Sequence, residues 1–226
     1  MKKKLLPPHK KFYAEFETDR IIRENFYGDF SYQGIMVEVG GATPEFISMS
    51  KHFRDCGWRC IIIEPNPEFC QLHRKAGNEV VECACSFEEK EASEFQVVNW
   101  HKTSRITIDG ISEHSFSSLQ VKKEYLQKHN YQSVEELHYR TIQVRVRRLD
   151  AILQELQVPR LDIVSVDTEG WELEVLQGLD LEKYRPKVVV LENYLDNHKY
   201  PEYMKKAGYS VACQCGHNTV FVHSYY

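Results

Sequence analysis

Carboxylates end three short apolar runs of this chain, and acids at such positions can bind hydroxyls, cations or metal ions. Glu38 ends the run IMVE, Glu64 ends CIIIE and Asp167 ends IVSVD. Apolar runs of this length are typical of buried parallel strands. Ligands of open α/β sheets bind in the crevice at the carboxyl ends of the strands. Three acids in that crevice favour a ligand with hydroxyls and positive charge over one rich in phosphate.

A glycine pair follows the first of these acids. Gly40 and Gly41 allow a tight turn and a close approach of the backbone to a ligand. A dinucleotide-binding turn has the pattern G-x-G-x-x-G, whose later glycines admit a pyrophosphate. Ala42 stands where that pattern needs its second glycine. The turn therefore favours a cofactor whose amino acid or nucleoside part meets the backbone.

Glu64 is the candidate ligand of a ribose. It follows the glycine turn by about 20 residues, the spacing at which an acid reaches the ribose diol in nucleoside-binding α/β folds. One carboxylate can accept hydrogen bonds from two neighbouring hydroxyls. Pro65 and Asn66 continue this strand end and belong to the same candidate site. Cys85 and Ser86 end the next strand, where a small apolar face with a hydroxyl suits adenine.

The segment DTEGWE places further acids after the third run. Asp167 ends the strand, and Glu169 and Glu172 follow at the start of a helical pattern, whose dipole favours negative charge. We expect Asp167 and Glu169 to position a substrate hydroxyl and to accept its proton. The alternative is Mg²⁺ bound by Asp167, Glu192 and Asn193, because Glu192 and Asn193 end the next strand and oxygen ligands suit this ion.

Two of the ten histidines are further candidates for acid–base chemistry. His114 and His217 both fall in loops expected at the carboxyl edge of the sheet. A histidine near its free pKa can take a proton from a hydroxyl nucleophile. Both are therefore included among the candidate catalytic residues.

The elements that must position these side chains alternate between strand and helix patterns. We expect an N-terminal helix over about 9–27 and a less regular lid or substrate insert over about 87–140. The remaining strands are predicted at 35–39, 60–64, 79–85, 141–146, 161–167, 187–191, 209–215 and 219–223. Helices are predicted at 44–55, 67–76, 149–157, 168–176 and 201–207. This order predicts an α/β fold with a mostly parallel sheet, helices on both faces and a C-terminal antiparallel hairpin, all within one domain of residues 1–226.

Composition restricts the class of protein. The chain has 226 residues, 42% of them hydrophobic, and a net charge of −4, which gives no electrostatic footprint for nucleic acid or an anionic membrane. The basic start lacks the apolar segment of a signal peptide, so we expect a cytoplasmic protein. Seven cysteines are an odd number and favour reduced thiols. The two C-x-C pairs lack the C-x₂-C spacing of zinc sites and are interpreted as small buried hydrophobes.

Taken together, these motifs resemble the FkbM family of methyltransferases from about Asp19 onward. The most specific parts of the resemblance are the D-x-E-G-x-E-x-x-V-L core beginning at Asp167 and the stretch GW…IEPNP that ends at Pro67. The matching segments also occur in the family's order: GIMVEVGGATPEFISMS, CGWRCIIIEPNPEF, VVECACSF, HSFSSL, RVRRLDAIL, LDIVSVDTEGWELEVLQGLDLEKYRPKVVVLENY and AGYSVACQCGHNTVFV.

The resemblance implies a class I S-adenosylmethionine-dependent O-methyltransferase with a seven-stranded Rossmann-like sheet. Carried over by position, Glu38, Gly40 and Ala42 would line the methionine end of the cofactor. Glu64 would hold the ribose, Cys85 and Ser86 would flank the adenine, and Asp167 and Glu169 would face the transferring methyl. The family also implies an acceptor hydroxyl on a sugar, in a glycan or glycosylated metabolite.

Two departures from the family pattern affect the expected cofactor site. Glu38 replaces the commoner Asp and reaches one methylene further. Gly41-Ala42-Thr43 replaces the commoner Ala-Asn-Asp and removes a polar group. Two other functions stay open at this point: an NAD-dependent oxidoreductase or epimerase, and a non-catalytic binding protein of the same fold.

Overall fold

The computed structural model describes residues 11–98, 117–119, 121–128 and 139–226. Its strands are β1 Ile35–Val39, β2 Arg59–Glu64, β3 Glu79–Glu82, β4 Ala84–Cys85, β5 Lys90–Val98, β6 Tyr139–Arg147, β7 Ile163–Val166, β8 Val188–Glu192, β9 Tyr209–Cys215 and β10 Asn218–His223. Its helices are α1 Thr18–Phe26, α2 Lys51–Asp55, α3 Pro67–Lys75, α4 Lys123–Lys128, α5 Leu149–Glu155, α6 Glu172–Gln177, α7 Leu181–Tyr184 and α8 Lys199–Lys206.

Seven strands form the main sheet in the order β3-β2-β1-β7-β8-β10-β9. β1 pairs in parallel with β2 on one side and with β7 on the other, and β7 continues in parallel to β8. β10 is antiparallel to both β8 and β9 and closes the sheet as a hairpin. This topology confirms the predicted Rossmann-like α/β fold with a C-terminal antiparallel hairpin.

Both faces of the main sheet are apolar and covered. Along β1, Met36 packs into one buried cluster and Val37 into the other, because successive strand side chains point to opposite faces. The cluster around Val37 includes Leu149 of α5, whereas the cluster around Met36 includes Ile22 of α1. None of the helices in the described part of the chain is long and apolar enough to cross a membrane.

A second, three-stranded sheet lies in the region expected to be irregular. Its order is β4-β6-β5, and an apolar cluster with Phe95, Val97 and Val144 packs it. The strand predicted at 79–85 is divided, because β3 pairs with β2 whereas β4 pairs with β6. The insert predicted over about 87–140 therefore contains regular structure in its described part.

The helix predicted at 44–55 is limited to α2, which begins at Lys51. Side chains hold the residues before it in a loop. The Glu38 carboxylate accepts a hydrogen bond from the Met49 N–H, and the Arg54 guanidinium donates to the Pro44 carbonyl. Pro44 therefore belongs to a loop instead of the first turn of a helix.

The N-terminal helix is shorter than predicted. A 3₁₀ turn at Glu15–Glu17 precedes α1, and Phe16 and Glu17 have φ angles of 54° and 53°. Left-handed residues such as these interrupt a regular helix. The helix pattern over about 9–27 therefore yields regular α-helix only from Thr18 to Phe26.

Candidate functional site

A cavity of about 1100 Å³, counted with its open mouth, lies at the carboxyl edge of the parallel strands. The ends of β1, β2 and β7, the glycine turn after β1 and the β4 segment contribute to its walls. The pairing of β1 with β2 and β7 brings Glu38, Glu64 and Asp167 to this one cavity. The crevice predicted from the three acidic strand ends is therefore present.

The two glycines of the turn are required by packing against neighbouring strands. A Cβ atom on Gly40, whose φ is 84°, would lie 1.7 Å from the Asp167 carbonyl oxygen. A Cβ atom on Gly41 would lie 2.3 Å from the Ile62 side chain. Real Cβ atoms do not approach other atoms so closely, so larger residues would force the turn away from β2 and β7. The glycines thus keep the turn close to the other strand ends while it lines the cavity.

Glu64 is buried at the end of β2 and bonded to the glycine turn. Its carboxylate accepts hydrogen bonds from the Ala42 N–H at 2.9 Å and from the Asn66 N–H at 2.8 Å. Burial raises the pKa of Glu64 to about 8, against the lowering effect of these two donors. Each carboxylate oxygen has more than one acceptor direction. Glu64 can therefore bind hydroxyls in the cavity while it holds the turn.

Glu38 supports the opposite wall. One carboxylate oxygen accepts from the Met49 N–H at 2.8 Å, and the other lies 3.3 Å from the Ser50 nitrogen and 3.4 Å from the Ser48 hydroxyl. Burial raises the pKa of Glu38, and the hydrogen bonds from Ser50 oppose that effect. Glu38 therefore fixes the loop before α2, and its predicted contact with the methionine end of a cofactor stays a prediction.

His73 of α3 holds the glycine turn from behind and was not among the predicted site residues. Its Nε2 lies 3.1 Å from the Ala42 carbonyl oxygen, and its Nδ1 lies 3.0 Å from the Asn78 side-chain amide. Because the Asn78 amide donates to Nδ1, Nε2 carries the proton and donates to Ala42. Burial lowers the pKa of His73 to about 4, so this buried side chain is neutral. A histidine in the polar last turn of a helix gives no sequence signal of this role.

Asp167, Glu169 and Glu192 form a group that we call the acid cluster. One oxygen of each lies within 4.8 Å of one oxygen of each of the others. The carboxyl groups of Asp167 and Glu192 are close enough to share a proton, and Asp167 is the member that lines the cavity. Although the Asp167 side chain is exposed to the open cavity, dense surrounding protein and then the Glu172 charge raise its pKa to about 7. Asp167 thus lies in the cavity, and the catalytic role predicted for it stays a prediction.

Glu169 lies behind Asp167 and away from solvent. It is 7% exposed, its φ is 57°, and its Oε2 has no hydrogen-bond partner among the described residues. Burial and the neighbouring charge of Glu192 raise its pKa well above the usual value for a glutamate. Glu169 is outside the cavity lining, so its contact with a transferring methyl stays a prediction.

Glu172 has a separate, structural role. It is fully buried and accepts hydrogen bonds from the Thr168 N–H at 2.9 Å, the Gly170 N–H at 3.0 Å and the Tyr200 hydroxyl. These bonds fix the turn between β7 and α6, which carries two members of the acid cluster. Glu169 and Glu172 therefore act differently despite their spacing of one helical turn.

The predicted adenine and ribose neighbours are divided between the cavity and the core. Pro65 and Cys85 line the cavity, together with Cys83 and Ala84. Ser86 is buried and is not part of the lining, and its N–H donates to the Arg147 carbonyl. The Asn66 side chain accepts from the Glu68 N–H and caps α3. The apolar surface at this end of the cavity therefore consists of small residues of the β4 segment.

The remaining predicted residues that the structure describes lie outside the cavity lining. The His217 ring packs between Tyr194 and Phe16, with ring centroids 4.5 Å and 5.7 Å away. The Asn193 side-chain oxygen accepts from the Asn197 N–H at 2.7 Å, which closes the loop after β8. His114 lies outside the described residues.

The seven cysteines are free of disulfide bonds. Cys83, Cys85 and Cys215 are buried small side chains, whereas Cys213 is half-buried. The thiols of Cys213 and Cys215 lie 3.8 Å apart.

Three apolar side chains at the cavity were not foreseen. Phe46 and Ile47 line it while half exposed, and Trp171 lines it next to the acid cluster. The Lys122 ammonium lies 4.8 Å from the Trp171 ring centroid and donates to the Glu174 carboxylate. This contact joins the segment before α4 to the wall of the cavity.

The fold and this site define an α/β protein with a cavity at the point where the parallel sheet changes strand order, between a buried acid on β2 and an acid cluster after β7. The chain matches the Methyltransferase FkbM domain over residues 38–211 and therefore belongs to that family of methyltransferases, whose expected cofactor is S-adenosylmethionine. No curated protein matches the chain.

The solved structures that match the chain include the crystal structure of precorrin-6y C5,15-methyltransferase from Geobacter metallireducens GS-15. The two chains are 13% identical and align with a TM-score of 0.42. The alignment covers 96% of this chain and 92% of the other.

Proposed function

We propose that this methyltransferase transfers the methyl group of S-adenosylmethionine to a hydroxyl of a sugar, carried by a glycan or by a glycosylated metabolite. The observation that supports the proposal is the arrangement of one cavity, with the diol-binding candidate Glu64 and the acid Asp167 both in its walls and the glycine turn between them. The sugar acceptor comes from the family resemblance.

The residues present fit the expected cofactor. Glu64 keeps acceptor directions for a ribose diol after its bonds to Ala42 and Asn66. Cys83, Ala84 and Cys85 form a small, mostly apolar wall that suits a purine. The acids near the glycine turn favour a cationic ligand over a phosphate. When bound, S-adenosylmethionine supplies an electrophilic methyl group on a sulfonium.

Asp167 is the residue best placed to act on the acceptor. It faces the cavity, whereas Glu169 is buried behind it. Asp167 would accept a hydrogen bond from the acceptor hydroxyl, hold its oxygen in line with the methyl group and take up its proton. Alignment of reacting groups can lower a barrier by about 7–11 kcal/mol, so this positioning is the main task of the protein.

The cavity also has groups that suit a sugar. Trp171 and Phe46 offer apolar ring faces, and Asp167 offers hydrogen-bond acceptors. A pyranose has both apolar faces and hydroxyls, so it can use both kinds of group at once. Half-exposed Ile47 extends this surface toward the mouth, where the rest of a larger acceptor would lie.

The test is a transfer assay with methyl-labelled S-adenosylmethionine and a panel of sugar and glycan acceptors. We expect label in an acid-stable methyl ether of the sugar. Asp167→Ala should mainly reduce turnover, whereas Glu64→Ala should mainly weaken cofactor affinity measured by calorimetry. Glu82→Ala is the matched control, because Glu82 ends the neighbouring strand in register with Glu64 but is exposed. Unchanged cofactor affinity in Glu64→Ala would remove the ribose assignment.

A further inference from the structure

The acid cluster brings three carboxyl groups together, of which only Asp167 lines the cavity. Asp167 directly follows β7, Glu169 lies two residues later in the turn before α6, and Glu192 ends the adjacent strand β8. Two chain segments thus bring three oxygens to a single place, within 4.8 Å of one another. Like charges this close repel strongly in a protein interior unless a shared proton or a bound cation neutralises them.

Glu169 supplies an independent sign that a ligand is bound here. Its Oε2 is buried and has no hydrogen-bond partner among the described residues, and the residue is 7% exposed. An ionised carboxylate in such a place is costly unless it is paired or coordinates a metal. The largest charge effects on Glu169 come from Glu192, Asp167, Glu172 and Glu15, which are all acids. The described neighbours therefore leave an acceptor without a positive partner.

Glu172, a buried acid in the same region, has hydrogen-bond donors for its carboxylate. It accepts two backbone N–H groups, the Thr168 hydroxyl and the Tyr200 hydroxyl. The buried carboxylate of Glu169, three residues earlier, has no comparable set of donors in the described chain. Glu172 therefore stabilises the turn, whereas the Glu169 carboxylate is available to bind a ligand.

We infer that the acid cluster binds a divalent cation through one oxygen each of Asp167, Glu169 and Glu192. Carboxylate oxygens are the preferred ligands of Mg²⁺, Mn²⁺ and Ca²⁺. Two oxygens bound to one ion lie at most about 4.2 Å apart on Mg²⁺ and about 5.2 Å apart on Ca²⁺. The three oxygens lie within 4.8 Å of one another, so a small inward movement of the side chains would bring them to the ligand distances of either ion.

This ligand set differs from the one expected from the sequence. Glu169 takes the place of Asn193, whose side-chain amide is bonded to Asn197. Asp167 is the ligand that faces the cavity, so the cation would lie between buried Glu169 and the acceptor. There it would orient and polarise the acceptor hydroxyl, a consequence that rests on the proposed methyl transfer. Binding of the cation itself does not depend on the proposed methyl transfer.

The experiment titrates Mn²⁺ into chelator-treated protein and follows free Mn²⁺ by electron paramagnetic resonance. We expect one saturable site per chain, from which Mg²⁺ or Ca²⁺ displaces Mn²⁺. Glu169→Gln and Glu192→Gln should each weaken binding by at least about tenfold. Glu182→Gln on α7 is the control, because this exposed glutamate lies outside the acid cluster. Circular dichroism checks that each variant is folded.

Wild-type protein without a saturable Mn²⁺ site would overturn the inference, as would unchanged affinity in both folded cluster variants. Calorimetry with S-adenosylhomocysteine on the same preparations separates this inference from the proposed function. Cofactor binding without Mn²⁺ binding refutes the cation site alone. Mn²⁺ binding without cofactor binding refutes the proposed function and keeps the cation site.

Discussion

Single hydrogen bonds at buried residues determine the shape of the glycine turn after β1. Ala42 has its N–H bonded to Glu64 and its carbonyl close to His73, so a turn with a left-handed residue is held from both sides. Arg54 extends this support, because it donates to the Asn78 side chain that in turn contacts His73. The geometry of the turn thus depends on neutral His73 as much as on the glycines.

This dependence predicts a specific sensitivity to acid. The pKa of His73 is lowered to about 4 in the folded state, whereas an unfolded histidine has a pKa of about 6.5. Between pH 6.5 and 4 the unfolded state binds a proton that the folded state does not. The free energy of unfolding therefore falls as the pH falls through this window, by roughly 2 kcal/mol from this residue.

Urea unfolding of wild type and His73→Gln at pH 7, 6, 5 and 4 measures this contribution. Glutamine keeps a donor for Ala42 but does not titrate, so its stability should decline less between pH 6.5 and 4. His198→Gln serves as the control, because His198 is exposed and should leave the acid-side slope unchanged. Equal slopes in wild type and His73→Gln would contradict the buried neutral histidine.

Among the elements, α8 fixes the turn between β7 and α6, which contains Asp167 and Glu169. Its Tyr200 reaches the buried carboxylate of Glu172, which holds Thr168 and Gly170 by their backbone N–H groups. Removal of one donor from a buried charged acceptor costs about 1.5–3 kcal/mol. A helix remote in sequence thus stabilises the loop between Asp167 and Glu169.

Tyr200→Phe should therefore lower the free energy of unfolding by about 2 kcal/mol and reduce turnover, because the loop loosens. Tyr203→Phe is the matched control on the same helix. Its hydroxyl donates to the neutral Leu176 carbonyl at 3.3 Å, so it should cost less than about 1 kcal/mol. Denaturant unfolding compares the two variants. An equal decrease in the free energy of unfolding would mean that the Tyr200 bond to Glu172 contributes no more than the Tyr203 bond to Leu176.

The elements also show how far sequence reasoning reaches. Strands β1, β2 and β7 were predictable because their apolar runs end at acids, and these acids do meet at one cavity. The loop at residues 44–50 was not predictable. It is held by hydrogen bonds to the Glu38 and Arg54 side chains, and a helix pattern does not reveal such bonds. The division of β3 from β4 depends on pairing with β6, which is distant in sequence.

In the candidate site too, local sequence pattern predicts some residues but not those that depend on distant contacts. Acids at strand ends follow from local pattern, so Glu64 and Asp167 could be placed in the cavity beforehand. The contact of Asp167 with Glu192 could be expected from adjacent strands. The burial of Glu169 and the support from His73 could not, because both depend on how helices pack behind the turn.

At the scale of the whole molecule, the order of the sheet places the cavity. From β1 the chain continues outward through β2 to β3 on one side, and later through β7 and β8 on the other. Ligands of open α/β sheets bind at this reversal point, outside the carboxyl ends of the strands. A ligand in the cavity contacts both halves of the sheet, so its binding free energy adds to the stability of the entire domain.

The final prediction uses this coupling to compare the proposed cofactor with NAD. S-adenosylhomocysteine at 100 times its dissociation constant should stabilise the protein by about 2.7 kcal/mol. For a chain of this size that corresponds to a rise in melting temperature of about 5–10 °C. Glu64→Ala should lose most of the rise, whereas Glu82→Ala should keep it. NAD should give no rise, because Ala42 replaces a glycine that admits a pyrophosphate. A larger rise with NAD would favour an oxidoreductase site, and a rise with S-adenosylhomocysteine but no methyl transfer to any acceptor would favour a binding protein.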